Sequence, residues 1–155
     1  MAAKVRLKDI VDELEMQFDE YLSFLNRDTG QVASVSRELL SAAEEDSEEA
    51  PDLPKWQEPE WELAKQIVLT DSFLRLPTKH DIHEWQIMED FTESAVMPSK
   101  IREELRYAIH GAGAFRHFKA TVRRHDIEEA WFAFRTESLR DIAIEWCEDH
   151  QIAWE

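Results

Sequence analysis

The spacing of apolar residues predicts the first elements of the chain. Apolar side chains recur every three or four positions from residue 7 to about residue 18, which predicts a helix with the inward side chains Leu7, Ile10, Val11, Leu14 and Phe18. Two short β-capable runs follow, at residues 21–25 and 31–36. The Asp-Thr-Gly sequence between them predicts a hairpin, in which Gly30 takes the positive φ. Alternatively, the helix continues through Tyr21, Leu22 and Leu25.

The next segment mixes helical spacing with one more short strand. Ser36 is a typical N-cap for a helix from residue 37 to about residue 43. Pro59 suits the first turn of a helix whose apolar side carries Trp61, Ala64, Ile67 and Val68. The apolar run at residues 73–77 predicts an edge strand beside the hairpin, because Pro77 cannot donate a ladder hydrogen bond.

In the second half of the chain, the spacing of apolar residues predicts helices throughout. Asp81 with Glu84, and Asp126 with Glu129, have the spacing of capping boxes that begin helices. Between them, Pro98-Ser99 predicts one helix start, with Gly111 as its stop, and residues 114–124 form a basic helix. The inward side chains of these helices are expected to be Ile82, Trp85, Met88, Phe91, Ile101, Leu105, Ala108, Ile109, Phe115, Phe118, Val122, Trp131 and Phe134. A separate last helix, from about residue 136 to 150, would bury Leu139, Ile142, Ala143 and Trp146.

Together these elements predict an α+β fold that is predominantly helical. A small antiparallel β-hairpin or three-stranded sheet near the N-terminus would pack on about six helices. The 155 residues fit a single domain that spans residues 1–155. Residues 44–54 are rich in acidic residues and contain two prolines, so we interpret them as a solvated linker within that domain, with an acidic recognition segment as the alternative.

Composition indicates a cytoplasmic protein with no membrane partner. No apolar run approaches the roughly 18 residues of a membrane span, and residues 1–9 lack the apolar core of a signal peptide. The single cysteine, Cys147, cannot form an internal disulfide, and we expect it to be a core thiol. The net charge of −16 is uneven, because residues 99–125 hold 7 Lys and Arg against 2 Asp and Glu. The acidic remainder favours solubility, with nucleic-acid mimicry or docking on a basic partner as alternatives.

The basic segment contains the first candidate binding site. Gly111 and Gly113 allow a sharp turn, and the free amides of the following helix could hold an anion. Arg116, Lys119 and Arg123, with Arg124 beside them, could neutralise phosphates. The competing interpretation is a helix–helix turn followed by a solvated basic face. Phe115 and Phe118 could stack on bases, but their spacing with Val122 favours the core.

A second candidate site lies at the start of the helix after Pro77. His80 and Glu84 are four positions apart and could face one metal ion, and His83 could act as a general base. Glu89 and Asp90 follow on the same helix. The sequence does not match the His-Glu-x-x-His pattern, so the favoured interpretation is a polar helix start, with no metal and no cofactor.

Several motifs resemble those of the UPF0158 family of uncharacterised bacterial proteins. They include Asp81-Ile82-His83-Glu84, Met88-Glu89-Asp90-Phe91, Gly111-x-Gly113-Ala114-Phe115-Arg116, Trp131-x-x-Phe134-Arg135 and Ala143-Ile144-Glu145-Trp146-Cys147. The resemblance covers nearly the whole chain and is most specific over residues 108–147. It implies a single small bacterial domain and no particular activity. Ala112 and His117 stand where the family pattern is often basic, which weakens a phosphate site in this chain.

From these observations we expect a non-enzymatic binding or regulatory module whose partner is another protein. This expectation has two reasons: the sequence shows no catalytic constellation, and its charge is unevenly distributed along the chain. The first alternative is binding of nucleic acid or phosphate through the basic segment at residues 111–124. The second is a hydrolase or metal enzyme built on His80, His83 and Glu84. The sequence leaves the oligomeric state open.

Overall fold

The computed structural model describes residues 4–16, 18–45, 53–94 and 96–155. Of the predicted acidic linker, residues 46–52 lie outside these ranges. The chain divides into two compact units, of which unit 1 is Met1–Thr78 with Ala143–Glu155 and unit 2 is Lys79–Ile142. The described residues are mostly helical, with one three-stranded antiparallel sheet near the N-terminus, so the predicted fold class is confirmed.

Unit 1 contains the sheet. Its first helix is α1 (Leu7–Glu15), and its strands are β1 (Tyr21–Asn26), β2 (Gln31–Ser36) and β3 (Phe73–Arg75). The strand order is β2-β1-β3, with both pairs antiparallel, so the hairpin and the edge strand are confirmed and the continued helix is wrong. Gly30 closes the hairpin with a φ of 75°. The first helix ends at Glu15, three residues earlier than predicted, and Phe18 is therefore exposed instead of inward.

Two helices cover the hairpin of unit 1. They are α2 (Arg37–Glu44) and α3 (Glu58–Leu69), and a 3₁₀ turn (Lys55–Gln57) precedes α3. The Ser36 hydroxyl accepts a hydrogen bond from the Leu39 amide at 3.2 Å, which confirms the predicted N-cap. Their shared core consists of Phe24, Val35, Leu39, Leu40, Trp61 and Ala64. Val68, predicted to lie on the apolar side of α3, is exposed.

A short backbone pairing closes unit 1. The Val5 amide donates to the Ala153 carbonyl at 3.0 Å, and the Glu155 amide donates to the Val5 carbonyl at 2.9 Å. Val5 and Trp154 form a parallel bridge, and the side chains of Val5 and Ile152 are buried. Residues from opposite ends of the sequence therefore complete one unit.

Unit 2 is built from helices around a cluster of aromatic rings. The helices are α4 (Lys79–Ile82), α5 (Glu84–Thr92), α6 (Ser99–Ile109), α7 (Ala114–Arg124) and the first part of α8 (Glu128–Asp149). Phe118 is fully buried, and its ring centroid lies 4.8 Å from that of Trp131 and 6.2 Å from that of Phe91. The ring centroid of Phe134 lies 5.4 Å from that of Phe91. The predicted bounds of α6 and α7 are confirmed.

Neither Asp81 nor Asp126 occupies the N-cap position that its predicted capping box requires. Asp81 lies inside α4, and His83, with a φ of 56°, separates α4 from α5. The His83 carbonyl accepts from the amides of Gln86 and Ile87, so His83 itself occupies the N-cap position of α5. Asp126 has a φ of 54° and precedes a helix that begins only at Glu128.

The two helices predicted after Asp126 are one continuous helix of 22 residues. No glycine or proline occurs between Glu128 and Asp149, so nothing in that stretch forces the backbone out of the helix. Leu139, Ala143 and Trp146 are buried as predicted, and Ile142 is half-buried.

Candidate binding surfaces

A hydrogen bond from α5 fixes the end of α6, just before the glycine turn that leads to α7. The Trp85 indole donates to the Ile109 carbonyl, the last of α6, at 3.0 Å. Gly113 occupies the N-cap position of α7 with a φ of 72°, and a Cβ added there would lie 3.3 Å from Cδ2 of His117. Gly111 has a φ of 146° with open space around it. Both residues have a positive φ, which favours glycine at these positions. This confirms the helix–helix turn, and it does not show an anion site.

Most of the basic side chains in residues 99–125 already have partners within unit 2. Arg102 donates to the carbonyls of Thr92, Ser94 and Met97 and so caps the end of α5. Surface ion pairs join Arg106 to Glu93, Arg123 to Glu128 and Arg124 to Glu104. Of the predicted ligand-binding residues, Arg123 is thus paired, at 3.5 Å from Glu128.

Two of these acidic partners, Glu104 and Glu93, have a lowered pKa. The hydrogen bond from His125 lowers the pKa of Glu104 below its ordinary value, and Arg124 adds to the effect. In the same way, the bidentate hydrogen bonds from Arg106, both 2.6 Å long, lower the pKa of Glu93. A charged carboxylate beside each arginine reduces the positive charge that a phosphate would meet.

Two cations of α7 remain available, beside an exposed aromatic ring. Arg116 and Lys119 are exposed and form no ion pair with any residue that the structure describes. Phe115 is 49% exposed, so its predicted place in the core is wrong, whereas Phe118 is buried as predicted. We name Phe115, Arg116 and Lys119 the α7 face.

An open depression of about 570 Å³ lies between α6 and α7. It is lined by Lys100, Glu103, Glu104, Tyr107, Ala108, His117, Thr121 and Arg124. Two basic side chains are balanced there by two glutamates. The depression therefore has no excess charge to select a phosphate over other ligands.

Glu84, a candidate ligand in the alternative metal or catalytic site, already has a partner. The Arg135 guanidinium donates to Glu84 at 2.6 Å, which occupies the carboxylate proposed as a ligand. His80 and His83 are exposed, and Asp90 accepts from the side-chain amide of Gln86 at 3.0 Å. Within residues 4–16, 18–45, 53–94 and 96–155, no three His, Cys, Asp or Glu side chains are grouped so that they could hold a metal ion.

Cys147 is a core thiol, as predicted. Its side chain is fully buried in unit 1. Burial raises the pKa of the thiol to about 11, and the nearby charge of Glu148 acts in the same direction. A nucleophilic cysteine needs the opposite shift, because the thiolate is the reactive form.

Unit 1 has a further pocket, lined half by apolar and half by polar residues, that the sequence did not reveal. Where α1 ends and β1 begins, an open depression of about 370 Å³ is lined by Glu13, Met16, Phe18, Tyr21, Ser23 and Ser34. Met16 is 66% exposed, Phe18 64% and Tyr21 43%. The Ser23 hydroxyl donates to Glu13 at 2.8 Å, so this carboxylate is fixed in the pocket wall. We name this depression the α1–β1 pocket.

The surroundings of the α1–β1 pocket are acidic. A neighbouring depression shares Glu13 and is also lined by Asp9, Asp12 and Glu155, with Lys4 and Arg6 as its basic residues. Unit 1 has 8 Lys and Arg against 22 Asp and Glu, whereas unit 2 has 10 against 12. Nearly all of the net charge of −16 therefore belongs to unit 1. The sequence contained this charge asymmetry, but only the unit boundaries assign it to one unit.

A protein-family model matches nearly the whole chain. The model of the Uncharacterised protein family (UPF0158) matches residues 3–154. No curated protein and no solved structure matches the chain. In the part of the chain that the structure describes, no helix has the length and apolar character to cross a bilayer.

Proposed function

Because the chain belongs to the UPF0158 family of uncharacterised proteins, whose name assigns no activity, we propose a function from its surface alone. The protein is a non-enzymatic protein-binding module. Its α1–β1 pocket holds a large apolar side chain of a partner segment, and the acidic surface around the pocket selects partners with Lys or Arg beside that side chain.

The observation that carries this proposal is the grouping of Met16, Phe18 and Tyr21 around one depression. Single exposed apolar side chains are common on protein surfaces, but grouped ones mark interaction sites. A partner that covered these three side chains would remove apolar area from water at roughly 25 cal/mol per Å². The volume of about 370 Å³ lies within the range of small binding sites and is large enough for one aromatic side chain.

The charge of unit 1 sets the chemistry of the partner. Glu13 is part of the pocket wall, and Asp9 and Asp12 line the depression beside it. A basic segment would be attracted toward this surface before contact and would pair with it after docking. An acidic segment or a nucleic acid would be repelled.

The alternatives have less support. Nucleic-acid binding would depend on Arg116 and Lys119, because Arg123 and Arg124 are paired with glutamates. A hydrolase or metal enzyme would need Glu84, which is bound to Arg135. A bacterial origin and a cytoplasmic location, expected from the resemblance and the composition, stay predictions.

The test uses short fluorescent peptides of defined chemistry and measures anisotropy. One peptide has a phenylalanine flanked by lysines and arginines, a second has the same phenylalanine flanked by glutamates, and a third replaces the phenylalanine by serine. We expect the first to bind more tightly than the others, and its affinity to fall as salt rises. Phe18→Ser should weaken binding by about tenfold or more, as for an anchor residue at the centre of an interface.

Leu69→Ser is the matched control, because Leu69 is also a highly exposed apolar residue of unit 1 but does not line the pocket. It should leave the affinity unchanged. Equal binding of all three peptides, or equal loss in the two variants, would show that the pocket does not dock a basic, apolar-anchored segment.

A further inference from the structure

We propose that a second copy of the chain is one such partner, with the α7 face of one copy docked in the α1–β1 pocket of the next. Phe115 is the apolar anchor, and Arg116 and Lys119 pair with the acidic surface around the pocket. This inference rests on the proposed function of the pocket, to which it adds the identity of an occupant.

The α7 face has the chemistry that the pocket selects. Phe115 and Lys119 are four positions apart and Arg116 and Lys119 are three apart, so all three lie on the same side of α7. The ring of Phe115 is half-exposed, although Phe118 one turn later is fully buried. An aromatic anchor with cations beside it is therefore presented on a rigid helix, as in helix-in-groove recognition.

Charge complementarity singles out this helix. Arg106, Arg123 and Arg124 of the same basic segment are paired with glutamates of unit 2. Arg116 and Lys119 have no such partner among the described residues, whereas unit 1 carries 14 more acidic than basic residues. Docking would give the two cations the carboxylates that their own unit does not supply.

The two surfaces are different, so the contact is head-to-tail. Each docked pair leaves one α1–β1 pocket and one α7 face unused, and further copies can add until a ring closes. The assembly should therefore grow with protein concentration and dissociate as salt rises, since exposed charges contribute to it.

The experiment is sedimentation velocity on the full chain over a range of concentrations. The wild-type protein should show a sedimentation coefficient that rises with concentration. Phe18→Glu blocks the pocket and Phe115→Glu blocks the α7 face, so each variant alone should associate at least about tenfold more weakly. Mixed in equal amounts, the two variants should form a one-to-one complex, because each keeps the surface that the other lacks.

Two controls separate surface effects from misfolding. Leu69→Glu in unit 1 and Phe132→Glu in unit 2 also introduce a carboxylate at an exposed apolar position, and both should associate like the wild type. Thermal unfolding followed by circular dichroism should show that all four variants remain folded.

Several outcomes would overturn the inference. A wild-type protein that stays monomeric at every concentration, or a mixture that fails to restore the complex, would show that no head-to-tail contact exists. If the basic peptide still binds in either case, the proposed function of the pocket stands and only the second copy is wrong. Binding of an oligonucleotide by the wild type that Phe115→Glu abolishes, without self-association, would assign the α7 face to nucleic acid instead.

Discussion

Arg135 and Glu84 form a bidentate ion pair, although 51 positions separate them in the sequence. The Arg135 Nε lies 2.6 Å from Oε1 of Glu84, and its Nη2 lies 3.4 Å from Oε2. The side chains are only 23% and 29% exposed. The pair thus links Glu84, the first residue of α5, to α8. Glu84, which the sequence offered as a candidate metal ligand, therefore has a structural role.

Removal of the charge on Glu84 should destabilise the protein. Glu84→Gln leaves the Arg135 guanidinium mostly buried without its counter-charge, and we expect the free energy of unfolding to fall by about 1–2 kcal/mol. Urea unfolding at neutral pH measures the change. Glu129→Gln, at an exposed position of α8, is the control and should change stability by less than about 0.5 kcal/mol. Equal effects of the two changes would contradict a structural role for the pair.

The ion pair between Glu93 and Arg106 should make stability depend on pH in the acid range. Because Arg106 lowers the pKa of Glu93 below the ordinary value of 4.5, the folded state favours the charged carboxylate. This contribution is present above the ordinary pKa and is lost as the pH falls through the lower, folded pKa. Urea unfolding from neutral pH to about pH 3 should therefore show a smaller decline for Glu93→Gln than for the wild type. The control Glu137→Gln, at an exposed residue of α8, should keep the wild-type decline.

Cys147 should be unreactive in the folded protein. Its thiol is fully buried and its pKa is about 11, so very little thiolate exists near pH 8. We expect Ellman's reagent to label the native protein at least about 100-fold more slowly than the protein unfolded in urea. Rapid labelling of the native protein would instead mean that the C-terminal part of α8 opens readily.

Two phenylalanines of α7 should differ sharply in their effect on stability. Phe118→Ala removes a buried ring that contacts Phe91 and Trp131, and it should cost about 3–5 kcal/mol. Phe115→Ala removes a half-exposed ring and should cost less than about 1 kcal/mol. Chemical denaturation of both variants measures the difference. Similar losses would contradict the exposure of Phe115 on which the proposed self-association depends.

Elements with local signals could be predicted from the sequence. Ser36 caps α2 because a serine before a helix can accept a backbone hydrogen bond, and Gly30 closes the hairpin because glycine accepts a positive φ. The bounds of α7 follow from a glycine before it and from the apolar spacing within it. Such signals act over a few residues and do not need the rest of the fold.

Features that depend on distant contacts could not be predicted. His83 adopts a positive φ at the break between α4 and α5, which no motif at that position indicated. The exposure of Phe18 depends on α1 ending at Glu15, and helix ends are hard to place without a cap residue. For the same reason the α1–β1 pocket was missed. The partner of Arg135 could be expected to be a carboxylate, but its position 51 residues away was not readable from spacing.

The pairing of Val5 with residues 153–155 affects the order in which the chain can fold as it is synthesised. All of residues 79–142 are made before residue 153, so unit 2 can assemble its aromatic rings first. At roughly 5–20 residues per second, unit 1 must wait until residues 153–155 have been made before Val5 can find its backbone partners. A nascent chain that stops before residue 153 leaves the amide and carbonyl of Val5 unpaired. Proteases should then cleave unit 1 more readily than unit 2, which can already be folded.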